Sequence, residues 1–115
     1  MTHLQTTDQY IKMCMKTWLL CEASVNAEES GLFPRQNLVN ECRDCAKACF
    51  AVVTGFINNA ANEQLGDLVL NCLLHCRQCS NECAKYDDDE DIQFCGMISS
   101  ICADTLKEIT VINLN

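Results

Sequence analysis

Proline occurs once and glycine four times in 115 residues. That scarcity excludes collagen-like, linker-rich and small all-β designs, which spend both residues on turns. Aromatics are 6%, so large rings do not dominate the core. Eight Lys+Arg stand against sixteen Asp+Glu, a net charge of −8 at pH 7. Such a chain has no basic stripe for nucleic acid or an anionic membrane. No apolar run reaches the roughly 20 residues a membrane span needs. There are two histidines, no Glu-x-x-His pair, no Ser-His-Asp set and no Gly-rich phosphate loop. A catalytic constellation is therefore missing, and an enzyme is not expected. What is abundant is cysteine, with 11 residues.

The first question is whether these cysteines form disulfides. A secreted disulfide scaffold should carry a leader and usually an even cysteine count. Here the leading apolar stretch is broken by Lys12 and Lys16 and followed by Glu22. A cytoplasmic chain with reduced thiols is expected, where dense cysteine points to metal binding or redox chemistry.

The 115 residues suit one domain. Four segments show helical character, at about 6–30, 34–61, 63–86 and 89–112. Thr6 with Gln9 suggests a capping box at the first, and Pro34 a first-turn proline at the second. Asn62 suggests an N-cap at the third. The acidic run Asp87 to Asp91 suits the start of the fourth, where it complements the helix dipole. Short connections make neighbours antiparallel, so the expected fold is all-α, an up-down-up-down four-helix bundle.

Cysteines repeat within this frame. Cys42-x2-Cys45-x3-Cys49 recurs as Cys76-x2-Cys79-x3-Cys83, and the third segment adds Cys72. The first and fourth segments carry Cys14/Cys21 and Cys95/Cys102, both i, i+7. Each set lies on one helix face. Trp18, Val25, Leu38, Ser99 and Leu106 continue the same frame. With turns near 32, 62 and 88, Cys49 comes level with Cys76, Cys45 with Cys79 and Cys42 with Cys83. All eleven then fall in the half of the bundle bearing the first and third turns. Leu4, Ile11, Val52, Val53, Phe56, Leu65, Leu68, Val69, Ile109 and Ile112 fill the other half. The expectation is a two-storey core, one hydrocarbon and one sulfur.

Helical i, i+4 partners have Cβ atoms roughly 5–6 Å apart, whereas a disulfide wants about 3.5–4.5 Å. Cys45/Cys49, Cys72/Cys76 and Cys79/Cys83 are thus poorly placed to oxidise within a helix. A metal ion relaxes the requirement, because two sulfurs at about 2.3 Å from one ion sit up to about 4.6 Å apart. Soft thiolates select Cu(I), zinc or iron–sulfur clusters. Cu(I) accepts two or three thiolates, which suits CxxxC pairs on rigid helices. Eleven thiols allow about five two-coordinate ions.

Cys72-Leu-Leu-His75-Cys76-Arg-Gln-Cys79-Ser-Asn-Glu82-Cys83 and Glu41-Cys42-Arg-Asp-Cys45-Ala-Lys-Ala-Cys49 resemble the bacterial copper storage proteins. The resemblance implies a thiol-lined bundle holding many Cu(I) ions, a cytosolic location without an export signal, and a homo-oligomer, frequently a tetramer of bundles. On it, the ligands are Cys14, Cys21, Cys42, Cys45, Cys49, Cys72, Cys76, Cys79, Cys83, Cys95 and Cys102. A histidine expected soon after the last of the third-segment cysteines is replaced by Tyr86.

Other residues carry weaker signals. His75 reads as a surface helix residue, with a peripheral ligand as the sharper reading, and His3 lies near a fraying terminus. Met13, Met15 and Met97 read as core filler, although thioethers bind Cu(I). Trp18 reads as a packing residue. Two other functional classes stay open: a thiol redox sensor, and a zinc or iron–sulfur protein.

Overall fold

A computed structural model describes residues 3–113 of the chain, with side chains from Thr7 to Ile109. It contains four helices: α1 (His3–Glu29), α2 (Gln36–Ile57), α3 (Asn62–Cys83) and α4 (Glu90–Asn113). Among the described residues there is no strand. Each helix packs on its neighbours in sequence, and α1 packs on α4 to close the square. The result is a four-helix bundle, a rod of 46 × 22 × 20 Å. No helix is long and apolar enough to cross a membrane among the residues described.

The helix ends decide which residues come level. α2 stops at Ile57, four residues before the expected 61. Asn59 adopts a left-handed conformation with φ 55°, which asparagine tolerates better than most residues. The Ala60 N–H reaches the Gly55 carbonyl at 2.9 Å and the Asn59 N–H the Phe56 carbonyl at 3.3 Å. These two bonds form a Schellman stop. The second turn therefore centres near residues 60 and 61, and the α2–α3 register shifts from that expected: Cys45 meets Cys76, and Cys42 meets Cys79. Gly55 also lets α3 approach. A Cβ there would lie 2.9 Å from a Leu68 methyl and 3.3 Å from one of Leu65.

Other expected caps differ. α1 starts at His3 rather than Thr6. Arg35 is the N-cap of α2, so Pro34 precedes the helix instead of lying in its first turn, and Ala61 rather than Asn62 is the N-cap of α3. The acidic run behaves as expected at α4. Asp89 Oδ1 accepts the Ile92 N–H at 3.2 Å, and Glu90 and Asp91 occupy the first turn. Gln93 reaches back to the open end of α3, where its amide donates to the carbonyls of Cys83 (3.1 Å) and Tyr86 (2.9 Å).

The core is layered along the rod. One end is hydrocarbon: Tyr10, Val52, Val53, Val69, Leu106 and Ile109 are buried, and Tyr10 stacks on Phe56 at 6.5 Å. Each fully buried aliphatic residue there contributes about 1.5–3 kcal/mol. The cysteines follow. The sulfur region does not end the rod, however. One helical turn beyond it, Val25, Leu38 and Ile92 are buried at 4%, 0% and 4% exposure, so an apolar lid closes the sulfur storey. Leu4 and Ile112, expected in the hydrocarbon half, have side chains outside the described residues, as does His3.

Over that lid sits an ionic clasp. Arg35 pairs with Glu28 and, at 2.8 Å, with Asp89. Its guanidinium lies 4.6 Å above the Tyr86 ring. The Tyr86 hydroxyl donates to Glu82 at 2.9 Å, and Lys85 reaches the same carboxylate. The clasp ties the α1–α2 turn to the α3–α4 turn. Arg35 holds both the Glu28 and the Asp89 carboxyl below the usual carboxylate range, chiefly by direct hydrogen bonding.

Candidate metal centre

All eleven cysteines are buried and none is disulfide-bonded. The 3.6-residue period explains their convergence. Residues seven apart return to the same helix face two turns later, about 10.5 Å along the axis. Each helix contributes one such pair, so the pairs stack into two levels.

The first level holds Cys21, Cys42, Cys79 and Cys95, one from each helix, with sulfurs all within 4.8 Å of one another. Cys79 is its hub, 3.8 Å from Cys42 and 3.9 Å from Cys21. Cys21 also lies 3.9 Å from Cys95. The second level holds Cys14, Cys49, Cys72 and Cys102, again one from each helix and within the same limit. Cys14 touches Cys102 at 4.0 Å, and Cys72 donates to Cys49 at 3.6 Å. Between the levels, Cys45, Cys49 and Cys76 form a triad, with Cys76 at 3.7 Å from Cys45 and 3.9 Å from Cys49.

At this middle level α2 and α3 supply sulfur, while α1 and α4 supply buried hydroxyls. Thr17 and Ser99 are both 0% exposed. Ser99 Oγ donates to Cys79 Sγ at 3.6 Å, and Thr17 Oγ1 to the Met13 carbonyl at 2.8 Å. Ser99 follows the frame read from the sequence. On α1, however, the core position is Thr17 and not Trp18, which is half-buried and packs on Phe50 at 5.1 Å. The spacing 14, 17, 21 fits the face as well as 14, 18, 21, and the large ring of Trp18 masked that choice.

Cys83 stands apart. It belongs to none of the three groups, yet its thiol interacts with Cys42, Cys79 and Cys95. At its level the other helices present the hydrocarbon lid. Gly96 fits against it, since a Cβ on that residue would lie 2.7 Å from the Cys83 Cβ. Sequence reading gave Gly96 no role; the signal was a glycine one residue after Cys95 within a helix, where it costs about 1 kcal/mol against alanine.

The electrostatics favour uptake of cations. Donation by Cys14, then by Cys49, Cys72 and Cys76, holds the Cys102 thiol far below its ordinary value despite burial. Cys14 is pushed up in turn, mainly by donating to Cys102. At the other level Cys95 is lowered to about 4, chiefly by Cys21, and Cys21 is pushed up, most of all by Cys42. Each level thus stabilises a first thiolate through its neighbours' S–H groups. Ionising the rest in a dry core is opposed by burial and by like charge. A cation that enters as the protons leave removes that opposition.

The geometry suits soft ions. Three thiolates in a plane at about 2.3 Å from one ion stand about 4.0 Å apart, and four around a tetrahedron about 3.8 Å. Contacts of 3.6–4.0 Å need little movement to reach either. Among the described residues no histidine joins a group. His75 is half-buried on the α2–α3 side, its Nδ1 buried without a hydrogen-bond partner among described residues. Met15 and Met97 are 39% and 51% exposed, which corrects their reading as core filler, while Met13 packs against the core.

Compared with known proteins, residues 3–111 match a family model described as copper storage protein. No curated protein and no solved structure matches the chain.

Proposed function

Because the chain belongs to the copper storage protein family, we propose that it is a binding protein rather than an enzyme, one that takes up several Cu(I) ions through its core thiolates and stores them in the cytoplasm. The ligands are the eleven cysteines named above. The observation that carries the reading is the pair of four-thiol levels, each drawing one cysteine from every helix, with no side chain of another donor type inside either group. An enzyme needs one or two ions with an open position, whereas this core offers stacked closed sets of sulfur. Thiolate softness favours Cu(I), and eleven thiols accommodate about five two-coordinate ions, more if sulfurs bridge. Exposed Leu19, Phe50 and Phe94, at 55%, 47% and 44%, support self-association; the assembly proposed is a homo-oligomer.

A second reading draws on the same tetrads. Four sulfurs about 3.8 Å apart also suit tetrahedral zinc. Anaerobic titration of reduced protein against a chromophoric Cu(I) chelator separates the two. Storage gives several tightly held Cu(I) equivalents per chain, unmoved by excess zinc. One equivalent or none ends the storage proposal, and two zinc ions that copper does not displace would replace it.

A further inference from the structure

A store whose thiols are 0–1% exposed needs a route by which its cargo is exchanged. Both ends of the rod are closed, one by the Tyr10–Phe56 hydrocarbon storey, the other by Val25, Leu38 and Ile92 beneath the Arg35 clasp. Along the sides, Trp18 on Phe50 covers the α1–α2 seam, and Lys16 lies over Phe94 at the α1–α4 seam, 5.9 Å from the ring centre. The α2–α3 side has a groove of about 290 Å³, but Asp44, Lys47, Ala48, Ala51, Asn71 and His75 line it, with no sulfur among them.

The α3–α4 side is different. A groove of about 290 Å³ there includes Cys83, Gly96, Met97, Ser80 and Ser100 in its lining. Two features set it apart. It brings two sulfur types together, the Cys83 thiol within and the half-exposed Met97 thioether. Gly96 also brings the α4 backbone directly against Cys83 with no Cβ between them, since a Cβ would lie 2.7 Å from its Cβ and 3.7 Å from its Sγ. Cys83 in turn adjoins Cys42, Cys79 and Cys95, three members of the first tetrad.

We propose that this groove is the loading and unloading port of the store: a Cu(I)–thiolate complex docks in it, Met97 holds the ion briefly at the rim, and Cys83 passes it to the Cys21–Cys42–Cys79–Cys95 level. The proposal rests on the storage reading. The step is ligand exchange without redox change. A Cu–S bond to the donor breaks as one to Cys83 forms, the Cys83 proton passes to the released donor thiolate, and copper remains Cu(I). A soft thioether at the rim and a thiol beneath it form a graded path for a soft ion.

The test is the rate of Cu(I) transfer, under anaerobic conditions, from Cu(I)–glutathione to the apo protein, and of removal from loaded protein by excess chelator. Cys83→Ser removes the relay thiol. Ser100→Phe fills the groove without replacing a ligand. Both are expected to slow transfer in both directions at least about tenfold, a barrier increase of about 1.4 kcal/mol, with capacity lowered by at most one equivalent. Asn71→Phe, which fills the α2–α3 groove that no sulfur lines, is expected to leave both the rates and the capacity unchanged. Wild-type rates in both Cys83→Ser and Ser100→Phe overturn the port. Mapping the order of iodoacetamide labelling in apo protein gives a copper-independent check that survives any folding defect of the variants. Cys83 should be labelled first, and earlier labelling of another cysteine overturns the proposal. Failure of the storage reading looks different, because wild-type protein would then hold no copper whatever its labelling order.

Discussion

Loading the core with Cu(I) should raise the stability of the fold by more than any single substitution lowers it. A ligand that binds the native state alone adds about 2.7 kcal/mol per site when its free concentration is 100 times Kd. Five two-thiolate sites therefore add about 13 kcal/mol, against a total stability of about 5–15 kcal/mol for an ordinary domain. At about 2.1 cal/mol/K per residue, a chain of 115 residues unfolds with an entropy near 0.24 kcal/mol/K. Each filled site then moves Tm by about 11 °C, and the transition of saturated protein leaves the range accessible in water. The assay is circular dichroism of reduced, anaerobic protein heated at zero to six equivalents of Cu(I). Two variants locate the effect. Cys79→Ala removes the hub that contacts Cys21 and Cys42, and should cancel one or two sites' worth of the rise, about 3–5 kcal/mol. Leu106→Ala, in the hydrocarbon storey at 1% exposure, should cost about 2–5 kcal/mol in the apo protein yet leave the copper-induced increment intact. A Tm that Cu(I) leaves unchanged or lowers, or an increment as large in Cys79→Ala as in wild type, would refute the reasoning.

Further outcomes follow from the same geometry. Glu28 and Asp89 have carboxyls lowered by Arg35, so their stabilisation is present above the ordinary carboxylate range and lost as pH falls through their lowered values. Arg35→Gln should therefore cost about 1–2 kcal/mol at pH 7, discounted because Arg35 is 35% exposed. The gap from wild type should narrow below about pH 4; urea unfolding at pH 7, 5 and 3 checks it, and a constant gap contradicts it. Ser99→Cys puts a sulfur where the Ser99 hydroxyl lies 3.6 Å from Cys79 Sγ and should raise the Cu(I) plateau by about half to one equivalent, read by chelator competition. Uptake should release protons, at most two per two-thiolate site and fewer where a lowered thiol such as Cys95 or Cys102 has already ionised, measured in weakly buffered solution, and apparent affinity should rise with pH because the remaining ligands must lose protons.

The bundle and its sulfur lining were legible because both are periodic. Cysteines at i, i+3, i+4 and i+7 mark one helix face whatever surrounds them, and the recurrence of the α2 spacing on α3 showed that two such faces meet. The pairing across those faces was not legible. It depends on where α2 ends, and the end is fixed by one left-handed residue, Asn59. An Asn-Asn dipeptide is a weak stop beside the apolar run that precedes it, so the pattern carried the helix on to 61. Trp18 outcompeted Thr17 for the inner position on hydrophobicity alone, although the broad ring fits better on Phe50 at the α1–α2 seam. The Arg35 clasp joins residues 54 apart, and no local signal connects them. Gly96 gains meaning from the proximity of Cys83 on another helix, which spacing along one helix does not reveal.

The most direct test of the central claim is X-ray absorption at the copper edge of fully loaded, reduced protein. A core that stores Cu(I) in cysteine thiolates gives a Cu(I) edge and nearest neighbours that are all sulfur, two or three per ion at about 2.3 Å. Nitrogen or oxygen as the main neighbours, or an edge belonging to Cu(II), would contradict it.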